Sequence, residues 1–301
     1  MNIEFPEKRT DGDWQILFHR YYNLLNEHDL HFPYVLNMFK YVNANIVYFN
    51  PAKSKNWKFI RPLRSRSKLE MIIDGKNVLF EFGDYDWEAS SSVPLANKFD
   101  AIFVVHWFDD IHNGVNNIFP LCPVNFTDWS LFEELRKNVV YAPTKDKLIL
   151  HNQRPMDDDG RREKGRNLII EHYPSQFDVT FYEKDQRRFF MNLNDALVSV
   201  HVPGCREDIL DRGQTQMFGL GACTISPYMK EKIAGNIEIE AWKHYVPCQP
   251  DLSDLVNKIE WCKANVDRCK EIGDNAKELF YNYIHPFKLV KWISACLKQK
   301  K

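Results

Sequence analysis

Arg154, Arg161, Arg162 and Lys164 follow an apolar run from Lys147 to Leu150, and Arg206 and Arg212 follow a second run that ends at Val200. Cations at strand ends, beside the free amides of a helix start, suit a small phosphate ligand because every group there acts on the same negative charge. Singly, Arg161, Arg162 or Lys164 reads as a solvated first helical turn. As a set, the two cationic loops can converge on one pyrophosphate. Gly204 and Gly213 lie in the second loop, where the lack of a Cβ permits close backbone approach to phosphate. His201, just after Val200, is a candidate phosphate or sugar contact, and equally a histidine satisfied within the structure.

A second set is acidic. Gly83-Asp84-Tyr85-Asp86-Trp87 closes one apolar run, and His106-Trp107-Phe108-Asp109-Asp110 closes another. A carboxylate or imidazole at such a position can take the proton of a reacting hydroxyl as general base. Asp84 and Asp86 are the first choice, with His106 next. A turn cap at Asp84 and a helix cap at Asp109 or Asp110 are the structural alternatives.

The chain that positions these groups has 301 residues, which suits two domains better than one core. Hydrophobic residues at 44% supply enough apolar area to exclude disorder as a class. The 40 Lys and Arg against 41 Asp and Glu leave a formal net charge of -1, which disfavours nucleic acid as a partner. No apolar run approaches the roughly 20 residues of a membrane span, and Met1 to Gln15 lacks the apolar stretch of a leader. Seven cysteines without CxxC or a zinc-like grouping point to a reduced, cytoplasmic setting and to buried, inert thiols.

Asp13 to Leu30 carries Ile16, Leu17, Tyr21, Leu24 and Leu25 near the spacing of one helical face, which predicts an amphipathic helix. Leu69, Met71 and Ile73, then Asp74-Gly75-Lys76-Asn77, then Val78, Phe80 and Phe82 predict a hairpin. Ala101 to Val105 predicts a further strand, and Asp128 to Asn138 a helix before the break at Pro143. Beyond the break, apolar runs near 147–150, 177–182, 196–200 and 222–226 alternate with helical patterns near 161–173, 185–193, 214–219, 252–265 and 266–284. That alternation argues for a parallel, doubly wound sheet, whose ligands lie at the carboxyl ends of the strands. Phe287 to Leu297 predicts a closing helix.

Val198-Ser199-Val200-His201-Val202-Pro203-Gly204, Asp208 to Gly213, and Gly219-Leu220-Gly221-Ala222-Cys223-Thr224-Ile225-Ser226-Pro227 together resemble the nucleotide-sugar site of GT-B glycosyltransferases. His244-Tyr245-Val246-Pro247, Asp251-Leu252-Ser253-Asp254-Leu255, Ile259-Glu260-Trp261 and Ala264-Asn265 resemble the close of the capsule-associated, protein O-glucosyl/xylosyltransferase-like family. The exostosin-like family shares the Pro-Gly and Gly-Ala features and stands second.

The resemblance implies an α/β, GT-B-like fold of two Rossmann-like domains facing a cleft. Residues 1–143 would be the acceptor-side domain, 144–284 the nucleotide-sugar domain, and 285–301 a terminal helix crossing back to the first. It implies inverting transfer of glucose or xylose from a nucleotide-diphosphate donor, UDP favoured, to a hydroxyl of a glycan or glycoprotein, with no metal or other cofactor. The base would be Asp84, Asp86 or His106. Where the family pattern carries Arg-x-x-Glu for the ribose, this chain has Gln216-Met217; Glu207, Asp208 and Asp211 are the possible substitutes for that contact, with Asp208 the first choice. A nucleotide-sugar epimerase or hydrolase, and a non-catalytic nucleotide-sugar-binding module, are the rival readings of the same fold.

Overall fold

A computed structural model of the chain describes residues 15–19, 45–49, 68–82, 90–123, 132–134, 148–153, 159–175, 177–178, 186–204 and 208–299, together with Val35, Met38 and Phe39. Its strands are β1 (Gln15–His19), β2 (Asn45–Phe49), β3 (Lys68–Ile73), β4 (Lys76–Glu81), β5 (Ala101–Val104), β6 (Ile118–Pro120), β7 (Ile149–Leu150), β8 (Phe177–Asp178), β9 (Val198–Val200), β10 (Thr224–Pro227), β11 (Lys232–Ile233), β12 (Ile237–Glu238) and β13 (Val246–Cys248). The α-helices with described bounds are α1 (Asp109–His112), α2 (Arg161–His172), α3 (Gln186–Asp195), α4 (Arg212–Leu220), α5 (Leu255–Ala264), α6 (Val266–Leu279) and α7 (Pro286–Lys298). Two compact units result. The N-terminal unit is built from Asn2–Thr127, Lys232–Ile237 and Tyr283–Lys301, and the C-terminal unit from Asp128–Glu231 and Glu238–Asn282.

The N-terminal unit holds a six-stranded sheet in the order β2-β1-β3-β4-β5-β6. The hairpin β3–β4 turns at Asp74 and Gly75, with φ of 49° and 76°. Both central residues are left-handed, as a two-residue hairpin loop with the right twist requires. The expected helix from Asp13 to Leu30 is corrected at its start, because Gln15–His19 is a strand, parallel to β2 and antiparallel to β3. Ile16, Leu17 and Phe18 lie opposite Ile73, Ile72 and Met71. A short run of consecutive apolar residues fits one helical face and a buried strand equally, and pairing along both edges decides between them. Tyr21 to Leu30 and most of the helix expected from Asp128 to Asn138 lie outside the described residues.

Strands β4 and β5 are covered on both faces, as parallel strands between helices are. Leu79, Ile102 and Val104 pack with Phe99, Trp107 and Ile118. On the alternate positions, Phe80 stacks on Phe103 with centroids 5.5 Å apart, and Phe103 lies 5.7 Å from Phe119. Helix α7 covers this side, with the Trp292 ring edge-on to Phe119 and its indole N–H donating to the Pro120 carbonyl at 2.8 Å.

The C-terminal unit holds a five-stranded, wholly parallel sheet in the order β13-β10-β9-β7-β8. Its first strand, β7, therefore lies between its second and third, β8 and β9. The chain leaves β7 in one direction along the sheet and leaves β9 in the other, so right-handed crossovers send the following helices to opposite faces. The gap at the carboxyl ends of β7 and β9 is the topological switch point, where open α/β sheets hold their ligands. Around the sheet, α2 packs with α5, and α4 with α3 and α6.

Glycines set the closest approaches. A Cβ on Gly273 of α6 would stand 2.2 Å from the Gly221 carbonyl oxygen, which closes α4 in a left-handed cap at φ 77°. A Cβ on Gly219 would stand 2.5 Å from the Phe132 ring.

Candidate functional site

Two loops meet at the switch point. After β7 come His151 and Gln153, buried at 3% and 8% exposure, and after β9 comes His201 at 2%. Gln153 binds the second loop as a backbone segment would: its Oε1 accepts from the Val202 amide at 2.6 Å and its Nε2 donates to the Val202 carbonyl at 2.8 Å. His151 spans the base of the same gap, with Nδ1 3.1 Å from the Val200 carbonyl and Nε2 3.1 Å from that of Arg162. Burial pushes its imidazole below the ordinary value against the pull of these two carbonyls. A neutral ring donates to only one of them at a time.

From the first turn of α2, Arg162 reaches into the second loop. Its Nε donates to the Val202 carbonyl at 2.8 Å and its Nη2 to Asp211 Oδ2 at 3.0 Å. Gly204 makes room for it, since a Cβ there would stand 3.0 Å from Arg162 Nη2. Asp211 is also the N-cap of α4, accepting from the Gly213 amide at 3.1 Å. Its second close neighbour is His201, whose Nε2 lies 3.5 Å from Oδ2. A Cβ on Gly213 would stand 3.0 Å from His201 Cε1, so this glycine admits the imidazole to the helix start.

The electrostatics follow from that packing. Burial raises the Asp211 carboxyl, but the hydrogen bond and charge of His201, the Arg162 guanidinium and the Gly213 amide together hold it well below the usual carboxylate range. His201 Nε2 also lies 3.3 Å from the Gln153 amide nitrogen, and among the described residues its Nδ1 is a buried nitrogen with no hydrogen-bond partner.

The other expected ligand residues are spread around this cluster. Arg161 is buried at 8% exposure and pairs with Asp159 at 2.5 Å. Lys164 donates to the Asp251 carbonyl, beside α5. Asp208 is buried at 9%, and its carbonyl accepts from Lys230 at 3.0 Å. Arg212 opens α4, with its carbonyl receiving the Thr215 hydroxyl at 2.7 Å. Arg154 and Arg206 lie outside the described residues. The structure thus brings together Arg162, His201, Gly204 and Gly213 with Asp211, one of the acids considered for the ribose, and adds Gln153. Asp211 carries a readable signal, an N-cap aspartate ahead of a helical pattern. Gln153 carries none.

In the N-terminal unit, His106 follows β5 and is buried at 4%. Asp84 and Asp86 lie outside the described residues. Sequence reasoning passed over Glu81, the last residue of β4, which is 1% exposed and paired with Lys68 at 2.6 Å. Its signal is a lone charge within the apolar run Val78 to Phe82. Asp109 is exposed and binds Lys232 at 2.6 Å and the Trp107 indole at 2.8 Å, which hold its carboxyl below the ordinary value in that order.

The comparisons with known proteins agree with this architecture. The family model described as Glycosyl transferase family 90 matches residues 236–297. Human protein O-glucosyltransferase 3 is 37% identical over 51 residues, 17% of this chain and 10% of that protein. Uncharacterized protein 035R of Invertebrate iridescent virus 3 is 44% identical over 46 residues, 15% of this chain and 4% of that protein. The crystal structure of a mutant S. aureus TarM in complex with fondaparinux, alpha-GlcNAc-glycerol and UDP is similar with a TM-score of 0.50 and 15% identity, covering 72% of this chain and 48% of that one. The matches span a tenth or less of these curated relatives' own length, and about half of the TarM chain. Among the described residues, no helix is long and apolar enough to cross a membrane. The chain has a GT-B-like glycosyltransferase fold with two Rossmann-like units, and its closing segment is similar to glycosyl transferase family 90.

Proposed function

We propose that the protein is a glycosyltransferase that moves a sugar from a nucleotide-diphosphate donor to a hydroxyl of a glycan or glycoprotein acceptor. The observation that carries the reading is the cluster of Arg162, His201 and Asp211 at the switch point of the C-terminal sheet, where helices α2 and α4 begin. Loss of a nucleoside diphosphate requires that growing negative charge be met as the bond breaks. Arg161, Arg162 and Arg212, with Arg154, Arg206 and Lys164 nearby in sequence, would meet it together with two helix N-termini, in place of a metal ion. Gly204 and Gly213 keep the backbone open to the phosphates, Asp208 takes the ribose, and Asp211 orients Arg162 and His201.

UDP is favoured as the nucleotide because the similar TarM structure is a complex with UDP. Glucose is favoured because the similar human protein is named a protein O-glucosyltransferase, and xylose because the run from His244 to Asn265 resembles the protein O-glucosyl/xylosyltransferase-like family. Transfer is inverting, with Asp84, Asp86 or His106 of the acceptor-side, N-terminal unit taking the acceptor proton as its oxygen attacks the anomeric carbon. A cytoplasmic setting keeps the thiols reduced.

The test is a panel of UDP- and GDP-sugars, with release of free nucleoside diphosphate measured with and without glycan or glycoprotein acceptors. Acceptor-dependent release is expected. Turnover without acceptor would mean an epimerase or hydrolase, and binding without turnover a recruiting module. A thermal midpoint that no nucleotide or nucleotide sugar raises would end the reading, because a ligand of the native state must stabilise it.

A further inference from the structure

Three cysteines far apart in sequence meet in the core of the C-terminal unit. Cys223 lies just ahead of β10, Cys262 in the last turn of α5 and Cys269 in the first turn of α6. Their sulfurs all lie within 4.8 Å of one another, and the residues are 1%, 0% and 0% exposed. All three are free thiols. They sit on the far side of α4 from its N-cap: Gly221, two residues before Cys223, is the residue against which Gly273 of α6 is packed. The close helix approach that those glycines allow is what draws Cys269 onto Cys223.

We propose that Cys223, Cys262 and Cys269 form an all-sulfur, three-coordinate site for a soft monovalent ion, Cu(I). The centre of a triangle with 4.8 Å sides is 4.8/√3, or about 2.8 Å, from each corner, and a metal–thiolate bond is about 2.3 Å. Side-chain rotations of about half an ångström close the difference. Ligand type and number select the ion. Thiolates favour Cu(I), zinc and iron–sulfur clusters. A structural zinc site needs four ligands, and among the described residues no fourth histidine, cysteine, aspartate or glutamate joins these three. Iron–sulfur clusters are likewise held by four ligands. Trigonal coordination by three sulfurs meets the demand of Cu(I) without a fourth. A thiol that binds as thiolate releases its proton to solvent. The bound ion would tie the entry to β10 to the α5–α6 junction, behind the switch point rather than in it.

The experiment uses the 301-residue chain, reduced with a phosphine and kept free of oxygen. Cu(I) is added to the native protein and, separately, during refolding from urea, and both samples are then challenged with a bathocuproine chelator. The expected result is one equivalent retained per chain, a raised thermal midpoint, and a copper X-ray absorption spectrum with three sulfur neighbours. Cys262→Ser should lose the retained ion, while Cys296→Ser, in the N-terminal unit, should keep it. Complete removal of copper by the chelator from both wild-type samples overturns the site. So does a first shell containing nitrogen or oxygen, or equal retention by Cys262→Ser. Should Cys262→Ser not fold, the wild-type spectrum decides the matter by itself.

Discussion

Replacing Asp211 with asparagine separates its charge from its cap. Asparagine and aspartate cap helices about equally well, so the bond to the Gly213 amide survives the change. What disappears is the negative charge facing Arg162 at 3.0 Å and His201 at 3.5 Å. The carboxylate is 22% exposed and the guanidinium 13%, so water screens the pair only in part. A hydrogen bond to a charged group contributes about 1.5–3 kcal/mol, and stranding a half-buried guanidinium moves the loss toward the upper end. We therefore expect Asp211→Asn to destabilise the protein by about 2–3 kcal/mol at neutral pH. Asp211→Ala should cost about 1 kcal/mol more, for the lost cap.

The pH dependence has a fixed sign. The folded-state pKa of Asp211 is depressed, so its contribution is full above the unfolded value of about 3.9 and is lost as the pH falls from there toward the folded value. The gap between wild type and Asp211→Asn should be level from about pH 5 to 7 and shrink below about pH 4. Urea unfolding of both proteins across that range is the measurement. A gap under about 0.5 kcal/mol at neutral pH, or one that widens on acidification, would refute the ion-pair account of this cluster.

Arg162→Ala should weaken binding of the nucleotide-sugar donor about 10- to 100-fold, with a smaller loss for Arg212→Ala; an unchanged Kd in both variants would mean that these side chains only order the loops. Asp84→Asn or Asp86→Asn should lower transfer at least about 100-fold with donor Kd preserved, and wild-type turnover in both would shift the role of base to His106, tested by His106→Ala. Gly273→Ala sets two effects of opposite sign against each other. Helix propensity favours alanine by about 1 kcal/mol, whereas the 2.2 Å approach to a backbone oxygen forces α4 and α6 apart. Overpacking of this kind costs about 1–3 kcal/mol, and here neither contacting group is a movable side-chain end, so net destabilisation is expected in thermal unfolding.

The architecture was readable where a local signal coincided with the tertiary demand. Asp74-Gly75 is a hairpin turn by its own chemistry, and the alternation of apolar runs with helical patterns after Pro143 implies a parallel sheet before any pairing is known. The run at Gln15–His19 misled because five residues cannot distinguish a helical face from a strand whose partners lie about thirty and fifty-five residues away. The cluster at the switch point was half readable. Arg162, His201, Gly204 and Gly213 have the right types at the right strand ends, but Gln153 matters only because it faces Val202, 49 positions later, and no spacing rule announces that. The cysteines show the same limit. Positions 223, 262 and 269 match no metal-binding motif, and only the packing of Gly273 on Gly221 gathers them.

The division of the chain into interleaved segments has a consequence for its birth on the ribosome. The N-terminal unit is assembled from Asn2–Thr127, Lys232–Ile237 and Tyr283–Lys301, so its sheet emerges long before the helix that covers it. Trp292 follows Pro120, its hydrogen-bond partner, by 172 positions. At about 5–20 residues per second, the ring of Phe119 and the carbonyl of Pro120 wait on the order of 10–30 s for their cover. Through that interval the nascent sheet exposes an aromatic face to the cell, while the C-terminal unit is still being made. A fragment cut after Thr127 would hold that exposed state permanently, and chaperone dependence and aggregation during synthesis should be concentrated in this unit.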